Sequence, residues 1–458
     1  LRNAANLASA EAAAKCAGLA LAFVLARALH PAGYGTYAVA LAFGSIFGVL
    51  AGGGIQPLTI REIARARRAE RRLFWNAYWL RVAQHVAGLA LAALALAFVH
   101  FDGAARAAAF LFAGATLLDG LTAQAMTLFR GRQQMGIEAK LTSAGRFANL
   151  ALTLVALAIA PSVVAVAAAA ALGSCVLAAI AFVTVARRIA PVAPRTRALA
   201  ALWAHALPFA AGGFLVYVFF RIDVLLLRGF GVAAAAIGDY SAAYRVMEVT
   251  RVPSAVVAQG YGPAAASFRN VADKSRLLEL ASRAWSVTLG VALPSVLLFT
   301  LVPGTIVHIV FGKAFGAAVP LLVAMALMPL FMSINGVAIQ TVNSQGFQGW
   351  ATAIFGLCAV VNVGLNVALI PRLGALGAAL ATVATEVVQS AALLTWIIAR
   401  FGLPRPQAAR VALGAVIGLA AGLSVPAHWP FLRGGASLAA YAVVVFPAML
   451  TLRRHAVV

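Results

Sequence analysis

The stretch "YVFFRIDVLLL", residues 217 to 227, sets Arg221 and Asp223 two apart inside an otherwise apolar run. On a helix, positions two apart point about 200° from each other, so neither charge can satisfy the other and their partners must come from elsewhere. Further on, "YRVMEVTR" spaces Arg245, Glu248 and Arg251 at intervals of three, a ladder of alternating sign along one helix face. Glu11 and Lys15, four apart near the start of the chain, can pair in the same way. Guanidinium groups bind phosphate through a planar fork of donors, and neighbouring carboxylates can release them or take up a cation. This group of residues could therefore bind an anion and break and remake ion pairs around it.

The elements that must hold these charges are apolar helices. The chain has 458 residues, 63% of them hydrophobic and 10% charged, with a mean hydropathy of +0.96. That composition describes an all-α polytopic membrane protein. A hydrocarbon core about 30 Å thick needs about 20 apolar residues per helix. On that ruler about fourteen spans are predicted, at roughly 5–29, 34–58, 77–100, 106–129, 141–160, 163–186, 205–227, 235–260, 284–309, 317–342, 350–370, 374–399, 408–425 and 436–452. The first apolar run is too long for a signal-peptide core and reads as a retained span. Every predicted connection is short, leaving no soluble catalytic domain.

A net charge of +23 would suggest nucleic acid in a soluble protein. Here the arginines lie in short strips between apolar runs, so no nucleic-acid partner is expected and the pattern reports topology. Alternate connections carry most of them: Arg61, Arg65, Arg67, Arg68, Arg71 and Arg72 in one, Arg187, Arg188, Arg195 and Arg197 in another. The positive-inside rule then puts both termini in the cytoplasm. It leaves Arg27 and Arg228 near the outer mouth. Trp75, Trp79, Trp203, Trp285, Trp350 and Trp396 fall at the cytoplasmic ends of spans and Trp429 at an outer one, as interfacial anchors do.

The second span opens with "GTYAVA" from Gly35 and the eighth with "GDYSAA" from Gly238. Six spans separate the copies, so both run the same way, as a parallel repeat about an axis along the membrane normal requires. The expected organisation is an N-lobe over 1–190 (spans 1–6), a C-lobe over 200–400 (spans 7–12) around a central cavity, and an appended helix pair over 405–458 (spans 13–14). In the second span Gly44, Gly48 and Gly52 give one helix face without side chains, read as a packing seam or a sliding surface.

A charge at the bilayer centre costs about 2.5–3.5 kcal/mol on insertion scales, so several together imply a polar interior. The expected cavity set is Arg221, Asp223, Arg245, Glu248, Arg251, Lys15 and Glu11, with Arg27 and Arg228 outside it. Arg81 with His85, and Arg146, read as side chains snorkelling to the headgroups, and Asp119 as a local cap. No metal site or cofactor is expected: there is no H-E-x-x-H helix, no C-x-x-C and no phosphate-binding G-x-x-x-x-G-K-[ST] loop.

At residues 362–388, "NVGLNVALIPRLGALGAALATVATEVV", with Asn362, Asn366 and Glu386, the chain resembles bacterial polysaccharide flippases. These are the Wzx-like branch of the multidrug/oligosaccharidyl-lipid/polysaccharide exporter superfamily. "LARALHPAGYGTYAVALAF", "TIREIAR" and "FRIDVLLLRGFGVAAAAIGDYSAAYRVMEV" resemble further hallmarks, and the likeness covers nearly the whole chain. The resemblance implies a non-enzymatic flippase of the bacterial cytoplasmic membrane. Its partner would be an undecaprenyl-pyrophosphate-linked oligosaccharide, moved by alternating access for surface polysaccharides such as O-antigen of lipopolysaccharide. Cationic cavity residues would handle the pyrophosphate, membrane lipids would surround the chain, and H+ or Na+ and polysaccharide polymerase machinery are further partners it implies. It assigns the cavity role to Arg221, Asp223, Arg245 and Glu248, and more weakly to Lys15.

A same-fold alternative is an ion-coupled exporter of cationic drugs, with Glu11, Asp223 and Glu248 as binding and proton-coupling groups. A membrane-embedded glycan polymerase would need a large outer loop with paired acids, and the sequence has neither that loop nor an Asp-x-Asp pair.

Overall fold

The computed structural model describes the backbone of residues 2–52, 54–65, 69–99, 101–268, 273–402 and 409–454; within these, side chains 2–17, 19, 51, 205, 208, 209, 211, 253, 259, 409–412 and 446–454 lie outside the description. Glu11 and Lys15 are among those side chains. The helices are α1 (Arg2–Gly52), α2 (Ile55–Arg65), α3 (Glu70–Phe98), α4 (Gly103–Gly131), α5 (Met135–Ile159), α6 (Val163–Ala186), α7 (Thr196–Gly229), α8 (Ala234–Ala266), α9 (Lys274–Leu301), α10 (Pro303–Phe311), α11 (Ala318–Ala324), α12 (Met328–Ser344), α13 (Gln348–Leu373), α14 (Ala375–Phe401), α15 (Ala409–Ser424) and α16 (Pro430–Arg454). Among the described residues there is no strand. Among the described residues, eight helices are long and apolar enough to cross a membrane, or nine if the pair α11–α12, bent by 46°, forms one span. This is a multi-pass, all-α membrane protein.

Local chemistry explains where the helices differ from the predicted spans. The first two spans share α1, broken at His30 (φ 56, ψ 173). Pro31 follows and has no N–H to continue the hydrogen-bond ladder. The second span stops at Gly52, and "TIREIAR" forms the separate α2, which buries Ile55, Leu58, Thr59 and Ile63 and turns its charges outward. The predicted span at 284–309 divides at Val302 into α9 and α10, with Pro303 as the first residue of the second piece. Gly374, at φ 56, makes the tight turn between α13 and α14, a backbone region glycine enters at little cost.

The chain forms two compact units, Leu1–Gly229 with Ala233–Gly238, and Phe230–Val232 with Asp239–Val458. In the first, the Gly44 and Gly48 face of α1 is a packing seam. A Cβ on Gly44 would lie 2.6 Å from the Ala113 backbone nitrogen, and one on Gly48 2.2 Å from Thr116 Cγ2 of α4. Trp75 is buried and not a lipid anchor. Its indole donates to Ile189 O (3.2 Å) and that of Trp79 to Val192 O (2.9 Å), tying the α6–α7 connection to α3.

The first unit also holds a reciprocal contact between the repeated glycines. A Cβ on Gly35 would lie 1.8 Å from Ala234 O, and one on Gly238 1.9 Å from Pro31 O. Each carbonyl stands four residues ahead of the other helix's glycine, so the two "GxY" starts meet in matched fashion. Their nearness needs hydrogen as the side chain.

In the second unit α15 and α16 pair and pack on α9 around Leu297, Leu301, Tyr441 and Val445. Tyr441 donates to Gly290 O at 2.9 Å. Gly414, Gly418 and Gly422 line the approach, and a Cβ on Gly418 would come within 2.9 Å of Ser437 O and 3.0 Å of Leu297 Cδ1. Gly418→Val should therefore lower the thermal stability of the detergent-purified protein by about 1–3 kcal/mol, the cost of overpacking a close-packed seam.

Candidate functional site

The second unit carries a line of charge along α8, beginning with an ion pair inside the helix. Arg245 Nη1 lies 2.7 Å from Glu248 Oε2 on α8, with 23% and 19% of the two side chains exposed. The first two rungs of the predicted ladder thus pair within the helix. Arg251 lies within electrostatic range of the buried Glu386 side chain of α14. The sequence reads Glu386 as an acid inside a span and as part of a family motif, but not as a cavity residue; the structure buries it within range of Arg251.

Glu386 sits in a polar core that links three helices. Asn335 of α12 donates to Glu386 Oε2 (2.8 Å) and to Gln389 Oε1 (3.0 Å), and Ser390 donates to Asn335 Oδ1 (2.8 Å). On α13, Asn366 donates to Asn362 O and Oδ1 at 2.8 and 3.0 Å, and Asn362 donates to Thr385 Oγ1 at 3.4 Å. Gly377 brings the start of α14 against α13, where a Cβ would lie 2.6 Å from Leu369 O. Tyr240, Ser254 and Tyr261 dock α8 onto α14 and α12 through Thr382 (3.3 Å), Ser333 (2.8 Å) and Thr341 (2.8 Å). Sequence reading missed Asn335 and Gln389, although Thr382, Thr385, Glu386, Gln389 and Ser390 recur at helical spacing on one face of α14.

In the first unit Asp223 is buried on α7, its Oδ1 accepting the Val224 N–H at 2.9 Å. Arg221 and Asp223 both lie within electrostatic reach of Tyr217, whose hydroxyl donates to Ala42 O of α1. Arg228 pairs with Asp102 at 3.5 Å, just ahead of α4, and Arg27 is exposed on α1. Glu11 and Lys15 lie outside the described side chains.

One reading of an isolated charge changes, and two other charges share a cavity. Arg81 does not snorkel: it is 3% exposed, its guanidinium lodged between Gly52 and Gly120, where Cβ atoms would lie 3.3 and 2.4 Å from it. Arg146 and Asp119 are brought together with Asn149, Thr153 and Ser174 in a cavity of about 330 Å³ among α1, α4, α5 and α6. The ring edges and small residues of the helices give no sequence signal for either arrangement. Among the described residues, no group of three or more His, Cys, Asp or Glu could hold a metal ion.

A family model described as polysaccharide biosynthesis protein matches residues 1–260, more than half of the sequence. The chain belongs to that family. Among curated proteins it is similar to the probable flippase AglR of Haloferax volcanii, 27% identical over 164 residues that make up 35% of this chain and 34% of that protein. The match thus spans about a third of that relative's length. The solved structure of Lipid II flippase MurJ, in an inward closed conformation, superposes with a TM-score of 0.74 at 14% identity, covering 96% of this chain and 97% of that one. An inward-facing multidrug resistance MATE transporter of the MOP superfamily gives 0.65 at 17% identity, with 83% and 94% covered. The family member therefore has the fold of MOP-superfamily transporters.

Proposed function

We propose that the protein is a flippase that carries a lipid-linked oligosaccharide, on undecaprenyl pyrophosphate, from the cytoplasmic to the outer leaflet of a bacterial cytoplasmic membrane. It acts without bond chemistry, by alternating access between two six-helix lobes, both termini lying inside. The observation that carries this reading is the Arg245–Glu248 pair on α8 with Arg251 within electrostatic range of Glu386, a line of basic and acidic side chains whose carboxylates a stronger anion can replace. Membership of a polysaccharide biosynthesis family and a fold shared with a lipid II flippase support it.

In this mechanism the pyrophosphate displaces Glu248 from Arg245 and draws Arg251 from Glu386, while the isoprenoid tail stays in lipid. Arg221 and Asp223 on α7, with Lys15 and Glu11 on α1, are further candidate substrate contacts in this reading, with Arg27 and Arg228 serving the outer mouth. A proton, Na+ or the membrane potential resets the carboxylates.

Deleting the gene and analysing the lipid fraction by mass spectrometry tests the substrate class. Undecaprenyl-pyrophosphate oligosaccharide should accumulate on the cytoplasmic leaflet and surface glycan should fall. Unchanged lipid intermediates with new sensitivity to cationic drugs would instead establish the exporter reading.

A further inference from the structure

At one end of the second unit's helices, the last turn of α14, the start of α9, the end of α8 and the α12–α13 turn enclose a cavity of about 800 Å³. Lys274, Gln345, Phe347, Trp396, Arg400 and Phe401 line it. Its volume falls within the range of sites that take small organic ligands, about 300–1,000 Å³. The Arg400 guanidinium lies 4.2 Å from the centroid of the Phe347 ring and 5.9 Å from that of Trp396. Those two rings meet edge to face at 5.0 Å, and Trp396 packs at 5.9 Å against Phe401. Gln345 donates to Ala265 O at 2.9 Å, fixing the turn to the end of α8.

Three features together define the ligand. A guanidinium stacked on an aromatic face keeps its in-plane N–H edges for an anion, and a phosphate takes them two at a time. The nearby carboxylates of α9 are engaged along their own helix, Asp273 by Arg276 at 4.0 Å and Glu279 by Arg283 at 2.7 Å. Among the described residues, neither Lys274 nor Arg400 forms an ion pair. Finally, the cavity lies where α8 has ended, α9 begins and α14 ends, with Trp396 and two phenylalanines at that level. Helix ends rimmed with aromatic residues mark the headgroup layer of a bilayer.

We infer that this cavity binds the phosphate headgroup of an anionic glycerophospholipid. Arg400 grips the phosphate, Lys274 supplies a second positive charge, and the aromatic rings pack against the glycerol and first acyl carbons. The site is separate from the charged line on α8: at 1.5 Å per residue, Phe268 lies roughly 25 Å beyond Arg251 along the chain direction of that helix. It therefore takes a resident lipid and not the transported one.

The test is native mass spectrometry of the full chain released from nanodiscs of phosphatidylglycerol or of phosphatidylcholine. Wild-type protein should retain phosphatidylglycerol and not phosphatidylcholine. The double variant Arg400→Gln/Lys274→Gln should hold it about tenfold or more weakly, the loss of a charge-assisted contact, with an unaltered melting temperature in lipid-free detergent. Equal retention by the double variant, or equal retention of both lipids, would overturn the assignment. So would displacement of phosphatidylglycerol by excess inorganic phosphate or by undecaprenyl pyrophosphate, which would give the cavity to a free anion or to the carrier lipid.

Discussion

Gly35→Val should yield little folded protein, and Gly238→Val the same. A Cβ at either position would sit under 2 Å from a backbone carbonyl oxygen, 1.8 Å at Gly35 and 1.9 Å at Gly238. Backbone cannot rotate aside as a flexible side chain can, so two helices must part. Overpacking of ordinary cores costs about 1–3 kcal/mol and occasionally more, and this contact belongs at the upper end. Gly18→Ala is the control, because a Cβ there meets nothing within 4 Å. Fluorescence-detected size-exclusion chromatography of the three variants, expressed alike, checks the result. A monodisperse wild-type-like peak from Gly35→Val would mean the glycines do not hold the two helix starts together.

Arg245→Ala should lower transport by about 10- to 100-fold and also lower the protein's melting temperature. A hydrogen bond to a charged group contributes about 1.5–3 kcal/mol, and in the proposed mechanism removing the guanidinium deletes one such contact to the substrate's phosphate. The pair with Glu248 is about four-fifths buried, so its loss also leaves a carboxylate short of a partner, which costs stability. Arg245→Lys separates the two contributions. It keeps the charge and the ion pair but loses the bidentate fork, so the melting temperature should stay near wild type while transport remains depressed. If Arg245 served only as glue on α8, Arg245→Lys would restore both together.

Much of this molecule could be read in the sequence because the membrane imposes simple rules. Apolar length set the spans, and α6 coincides with its predicted 163–186 at both ends. The alternating ladder on α8 foretold the Arg245–Glu248 pair, since i,i+3 neighbours must face each other. What escaped reading depends on which helix faces which. Glu386 gave no hint that it would lie within electrostatic range of Arg251, because their separation along the chain carries no geometric information. Arg81 looked like a snorkelling side chain, yet the two glycines beside it, Gly52 and Gly120, open a berth that only packing reveals. Trp75 failed as a lipid anchor for a related reason: the α6–α7 connection folds back over it. The repeat, visible as two short motifs, acquired its physical meaning only when Gly35 and Gly238 were found face to face.

The central claim is that guanidinium groups on α8, paired with exchangeable carboxylates, move a lipid-linked anion. Its most direct test is translocation of a fluorescent undecaprenyl-pyrophosphate oligosaccharide in proteoliposomes, read by quenching from outside, for wild type and Arg245→Lys. The account predicts translocation by the wild type and a rate at least tenfold lower for the variant, with equal protein incorporation. Equal rates for the two, or no translocation by well-folded wild type, would contradict it.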